Sequence, residues 1–305
     1  MTSDVGYKDE KIGMPVSVTI ASLGIITNTV SINFFLRRKN RKLGDKVLVL
    51  LNLLDITICI SSVVGLTVMS QPYLMGKERN KSQKEDVQKD ILFLGFFEML
   101  VELSGIATCF LCALRCIAIN WPLYQISNPK VYISAVLVAA FMVTGKCVMV
   151  IPTVTDYYED KFQDGLEKSK PLVVSLINVS LMVIFVLFCS IYSIKALNIK
   201  RPEGVEERSD TNKKATKMVL ILGLLFVTFN LAWVSMLVYF ITQGGKTGTK
   251  KLMGIMTYIV ITINSASNPI VYMTRNEEMN KYVKKYLSKV MNVICKPCSF
   301  YTAEA

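Results

Sequence analysis

The sequence predicts an all-α membrane protein: a bundle of seven transmembrane helices followed by a short amphipathic eighth helix. Three observations carry that expectation. Hydrophobic residues fill 52% of the 305 positions and the mean hydropathy is +0.42, too apolar for an ordinary soluble domain. The apolar residues gather into seven runs of about 20 or more, each long enough at the helical rise to cross a hydrocarbon core about 30 Å thick. The basic excess behind the net charge of +12 falls mainly between alternate runs. The runs cover roughly 14–36, 47–69, 91–119, 131–152, 172–197, 218–242 and 252–273. The chain thus divides into an N-terminal tail 1–13, a transmembrane domain 14–273 and a tail with the amphipathic helix 274–305. An odd count without an internal repeat argues against the two equal halves of many transporters.

Charge sets the orientation. The first loop carries Arg37, Arg38, Lys39, Arg41, Lys42 and Lys46 against Asp45 alone, which places it in the cytoplasm. The N-terminus is then extracellular and the C-terminus cytoplasmic, in a multi-pass protein of the cell membrane. Basic loops of this placement orient the chain and touch anionic lipid, so membrane lipid is the expected partner and nucleic acid is not. None of the eight Cys falls in an outer segment, so no extracellular disulfide is expected. No cleavable signal peptide is expected either, because the first 13 residues are polar. Asn80-Lys81-Ser82 is a glycosylation sequon in an outer loop.

The polar residues inside the runs are the functional candidates, since lipid satisfies none of them. The first run holds Asn28, and the second holds Asp55, whose carboxylate costs roughly 2.5 to 3.5 kcal/mol at mid-bilayer on insertion scales. In the third, Glu98 and Glu102 are four residues apart and share a helix face, with Ser104 below them. Lys146 in the fourth run is a candidate partner for Glu102. Arg115 stands at the inner end of the third run, where it can snorkel to headgroups or meet a protein partner. Phe229 and Trp233 are one turn apart in the sixth. The seventh carries Asn264-Ser265-Ala266-Ser267-Asn268-Pro269-Ile270-Val271-Tyr272. Pro269 removes a backbone donor, frees a carbonyl one turn earlier and softens the helix. Beyond it, 276–289 sets Met279, Tyr282 and Tyr286 against Lys281, Lys284 and Lys285, an interfacial amphipathic pattern.

Asn268-Pro269-Ile270-Val271-Tyr272, Leu51-Asn52-Leu53-Leu54-Asp55, Leu114-Arg115-Cys116 followed by Pro122-Leu123, and Phe229-Asn230-Leu231-Ala232-Trp233-Val234-Ser235 together resemble the signatures of rhodopsin-like (class A) G-protein-coupled receptors. The resemblance covers about 14–290 and is thin in the fourth and fifth runs, which lack the family's Trp and Pro. It departs at Leu114 in place of an acid, Cys116 in place of Tyr and Ser235 in place of Pro.

The resemblance implies an extracellular ligand bound between the outer halves of the bundle, with Glu98 as a candidate anchor for a cationic group. Glu102 lies beneath it, and Trp233, Phe240 and Tyr258 are candidate aromatic walls. The family's amine-binding Asp is replaced by Phe97, so an aminergic ligand is not favoured. It further implies a sodium pocket lined by Asp55, Asn28, Ser104, Asn264, Ser265 and Asn268. A hydrogen-bonded helix-packing cluster without an ion remains the alternative. No other cofactor is expected. On activation, by the same resemblance, Trp233 and Phe229 repack and the Asp55 pocket contracts and expels its cation. Tyr272 and Tyr192 approach each other, and Arg115, Asn268 and Pro269 take part in coupling to a heterotrimeric G protein. Cys295 and Cys298 are candidate palmitoylation sites, with unmodified thiols as the alternative.

The expected function is ligand-driven G-protein activation, without catalysis. The total absence of His removes His-based chemistry and most intramembrane metal sites. Two rivals remain. Asp55, Glu98, Glu102 and Lys146 could form an ion or proton path in a transporter, and Leu114, Cys116 and Ser235 fit a receptor-like protein that no longer couples. The seventh run has no Lys, which argues against retinal attachment.

Overall fold

The computed structural model describes residues 3–39, 43–74, 84–120, 165–198, 206–242 and 247–295, with side chains chiefly over 15–39, 43–65, 96–119, 176–197, 214–236 and 256–289. Among the described residues the secondary structure is helical: α1 (Ser3–Arg37), α2 (Leu43–Leu74), α3 (Lys84–Asn120), α4 (Gly165–Asn198), α5 (Glu206–Thr242), α6 (Thr247–Arg275) and α7 (Glu277–Cys295). The fourth apolar run, 131–152, lies outside the described residues, as do Lys146, Asn80 and Cys298 and the side chains of Phe240 and Cys295.

Five described stretches are long and apolar enough to cross a bilayer: Pro15–Arg37, Leu43–Gly65, Phe96–Ile119, Leu176–Leu197 and Lys214–Met236. That is compatible with a multi-pass membrane protein. The expectation of seven crossings is met to that extent. The seventh run forms α6 but is not one of the five, because Asn264, Ser265, Ser267 and Asn268 dilute its hydropathy. Helix boundaries also run past the apolar segments. Helix α1 starts at Ser3, inside the residues expected to form a polar tail. Once a helix is nucleated, each added residue gains a hydrogen bond, and Lys8, Glu10 and Lys11 are good helix formers.

The helices close into a ring. Helix α1 packs on α2 and α6, α2 on α3 and α6, α3 on α4 and α5, α4 on α5, and α5 on α6, while α7 rests on α6 and α1. Helix α4 shows how the faces divide. Val179, Met182, Val183, Val186, Cys189, Ser193 and Ala196 recur at helical spacing and are buried, while Ile177, Leu181, Ile184, Phe188 and Ile191 are exposed. An outward face of Leu, Ile and Phe is unstable in water and at home in lipid. Helix α6 is the reverse. Its buried positions include Thr262, Ser265 and Asn268, and Ile270 faces out.

Small residues set the spacing of α1 against its neighbours. A Cβ at Gly24 would lie 2.8 Å from Cys59 Sγ and 3.1 Å from Ala266 Cβ. Helix propensity alone would make Gly24→Ala stabilising by about 1 kcal/mol, whereas overpacking costs about 1 to 3 kcal/mol. Crowding by a backbone-borne Cβ should win, so Gly24→Ala is expected to lower the thermal unfolding midpoint of the detergent-solubilised protein. Adding Cys59→Ala, which removes the Sγ, should return part of the loss.

Candidate functional site: a polar core around Asp55 and an inner cleft at Arg115

Pro269 has no N–H, so the Ser265 carbonyl one turn back has no donor from its own helix. Asn28 of α1 supplies one: its Nδ2 donates to Ser265 O at 3.2 Å and to Gly24 O of its own helix at 2.8 Å. Asn28 is fully buried. A side-chain amide on one helix thus repairs the backbone of another at a depth without water.

Beside it, Asp55 of α2 is fully buried and draws donors from two other helices. Ser104 Oγ of α3 donates to Oδ1 at 3.1 Å, and Asn268 Nδ2 of α6 donates to Oδ2 at 2.7 Å. Ser265 lies against the same carboxylate, although its buried Oγ makes no hydrogen bond of ordinary geometry. Charge-assisted bonds of this kind are roughly twice as strong as neutral ones and offset the cost of burying the acid. Of the six residues proposed for this pocket, Asn264 stands apart. It is half-buried, and its carbonyl accepts the Ser267 hydroxyl at 2.8 Å.

The polar core also holds unused acceptors. Asn28 Oδ1, Asn52 Oδ1, Ser265 Oγ and Tyr272 OH are buried without a hydrogen-bond partner among the described residues. Oxygen donors around a single carboxylate are the chemistry a hard monovalent cation takes. These residues therefore fit a sodium ion held by Asp55, Ser104 and Ser265.

Toward one end of the bundle, Trp233 and Tyr258 are buried, and the Tyr258 ring packs on Phe97 with centroids 4.7 Å apart. Tyr258 is thereby a core ring against Phe97. Glu102 is buried and Glu98 half-buried on the same helix. On α5 the deeply buried rings are Phe226 and Trp233, with Phe229 only half-buried. Phe226, Asn230 and Trp233 follow the buried stripe of α5. The sequence signal for Phe226 was that spacing, four residues along from Leu222 and three from Gly223.

Toward the other end, Tyr272 is fully buried edge-on against Phe35, 5.7 Å between centroids. Tyr192 lies on the exposed face of α4, stacked on Phe188 at 5.5 Å. The structure does not join the two hydroxyls. Tyr192 sits one position before the buried Ser193, which turns it out of the bundle. Arg115 faces the start of α2: a Cβ on Gly44 would be 3.7 Å from its guanidinium. It also lines a small cleft, about 10 Å³ in volume, together with Ser190, Ser193 and Thr216.

A junction that sequence reasoning missed ties the inner ends of the helices together. Arg38 donates to Asp45 at 3.0 Å and to Glu278 at 2.5 Å, and lies over the Phe34 ring. Burial alone would lower the Arg38 pKa, but the hydrogen bond and charge of Glu278 and the charge of Asp45 outweigh it and raise it. Asp45 had entered only as the one acid in a basic loop, and the seven-residue spacing Arg38 to Asp45 was its only signal. Lys214 of α5 meets Glu277 of α7 at 2.6 Å and holds that exposed carboxyl below its usual range. Asn276 caps α7, its Oδ1 accepting from the backbone N–H of Glu278 and of Met279. Within α7, Met279 is buried, while Lys281, Lys284, Lys285 and Tyr286 are exposed.

Comparison with models of known families and with curated proteins finds no match for the chain.

Two outcomes follow from this geometry. Asn28→Ala should cost about 1 to 2 kcal/mol in equilibrium unfolding, because it orphans the Ser265 carbonyl. In a Pro269→Ala background, whose new N–H can satisfy that carbonyl, the same change should cost clearly less. Separately, replacing choline by sodium at constant chloride should raise the unfolding midpoint of the native protein but not that of Asp55→Ala.

Proposed function

We propose that the protein is a seven-helix receptor of the rhodopsin-like class in the cell membrane, with its N-terminus outside, which takes an extracellular ligand and activates heterotrimeric G proteins. The observation that carries this reading is the joining of Asp55, Ser104 and Asn268 across three helices, beside Asn28 at the carbonyl freed by Pro269. Polar groups buried at this depth cost stability unless they are needed, and a network spanning α1, α2, α3 and α6 can be arranged in more than one way.

In this reading the ligand enters from the outer side near Glu98, and its contacts are sensed by the buried rings Trp233 and Tyr258. Rearrangement of these rings shifts α5 against α6. Helix α6 yields at Pro269, where a backbone hydrogen bond is already missing, and Asn268 exchanges partners around Asp55. Asp55, Ser104 and Ser265 would hold a sodium ion, which when bound would supply positive charge favouring the resting arrangement of those oxygens. At the inner face Arg115 becomes available to the G-protein α-subunit. Ser235 stands where the family has a proline, and its hydroxyl donates to the Leu231 carbonyl at 2.8 Å, so α5 pivots there without a proline bend.

The resting restraint on Arg115 is weak, because it makes no ion pair with an acid among the described residues. Nucleotide exchange on a panel of purified G proteins by the reconstituted protein should therefore exceed background without ligand. Arg115→Ala should abolish that exchange and Leu114→Asp should lower it. The outward placement of Tyr192 favours a second reading, a receptor-like protein that no longer couples. No exchange on any G protein, with or without ligands found by binding screens, would select it.

A further inference from the structure

Arg115 carries a permanent charge and five N–H donors, yet it makes no hydrogen bond or ion pair among the described residues. The acid whose charge it feels most is Asp45, and Asp45 is already engaged by Arg38 at 3.0 Å. The adjacent position that could have carried a carboxylate is Leu114, packed in the core. A guanidinium set back from solvent without a counter-charge is costly.

The cleft beside it offers the complement. Ser190 and Ser193 from α4 and Thr216 from α5 line it with hydroxyls, Cys112 and Cys189 with thiols, and no carboxylate is among its lining residues. Its enclosed part has room for about one water-sized body, too little for a phosphate headgroup.

We propose that this cleft is a binding site for a small monovalent anion of halide size, held between the Arg115 guanidinium and the hydroxyls of Ser190 and Ser193. The anion does for Arg115 what a neighbouring carboxylate would do, and it bridges α3, α4 and α5 at their inner ends. The site does not rest on the receptor reading, since it follows from a half-buried guanidinium with no direct partner among the described residues and a cleft lined by hydroxyls beside it.

The test compares thermal unfolding of the purified full-length protein in sodium chloride, sodium bromide and sodium gluconate at equal sodium and ionic strength. Chloride and bromide should raise the midpoint over gluconate by about 2 to 4 °C, and Arg115→Leu should remove the difference. Equal midpoints in the three salts, or the same rise in Arg115→Leu, would overturn the site. Should that variant fail to fold, chloride-35 NMR on the native protein decides. Line broadening that bromide relieves and gluconate does not supports the site, and its absence overturns it.

Discussion

The rest of the bundle depends on one constraint: at membrane depth a backbone carbonyl without a donor must find one in another helix. Pro269 creates such a carbonyl at Ser265, and Asn28 answers it. The answer requires α1 and α6 to approach closely, which is what Gly24 allows. Gly24 and Asn28 are one turn apart on α1, and the Asn28 amide also bonds the Gly24 carbonyl. A larger residue at Gly24 would meet Cys59 and Ala266 and push away the amide that repairs α6. Small residue, close packing and polar satisfaction are one arrangement, and none of the three works without the other two.

Asp55 makes the same logic quantitative. An acid near the bilayer middle costs roughly 2.5 to 3.5 kcal/mol on insertion scales. Two donors, each bonded to a charged acceptor and worth about 1.5 to 3 kcal/mol, can offset this. The balance is narrow, and the amide oxygens of Asn28 and Asn52 and the hydroxyls of Ser265 and Tyr272 leave the core with unused acceptor capacity. A polar core with spare acceptors invites a cation or a water. It also gives α6, already short of one backbone bond, low-cost alternatives to its present partners.

Much of this was legible in the sequence because lipid is an intolerant solvent. Asn28, Asp55, Ser104 and Asn268 stand out against Leu and Ile, and period-3.6 spacing brings them to facing sides. Where the pattern was equally apolar on both faces, the sequence could not say which face turned inward. That is why the sequence did not reveal that Tyr192 lies on the exposed face of α4 and that Phe226 is buried more deeply than Phe229. The reach of α1 back to Ser3 was missed for a different reason, because helix propensity continues past the end of a hydrophobic run. The Arg38 junction was unreadable because Glu278 lies 240 residues along the chain from Arg38, and surface charges at such ends normally signal only orientation.

The inner face is held unevenly. Helices α1, α2 and α7 are joined by Arg38, which bridges Asp45 and Glu278 while stacked on Phe34, so one side chain with fixed geometry serves three elements. Helix α5 is tied to α7 by Lys214 and Glu277, both largely exposed. A pair of that kind contributes little and is screened by salt. Its sign with pH is fixed by the lowered Glu277 value: the contribution is present above the ordinary carboxylate range and fades as pH falls through the lower folded value. Arg38 therefore joins α1, α2 and α7 at these ends, and α5 is tied to that group by one exposed ion pair. Arg115 sits between the two, facing Gly44 of α2 on one side and sharing its cleft with Thr216 of α5 on the other. Whatever fills that cleft, an ion or a partner's side chain, gains most of its leverage by choosing where α5 stands.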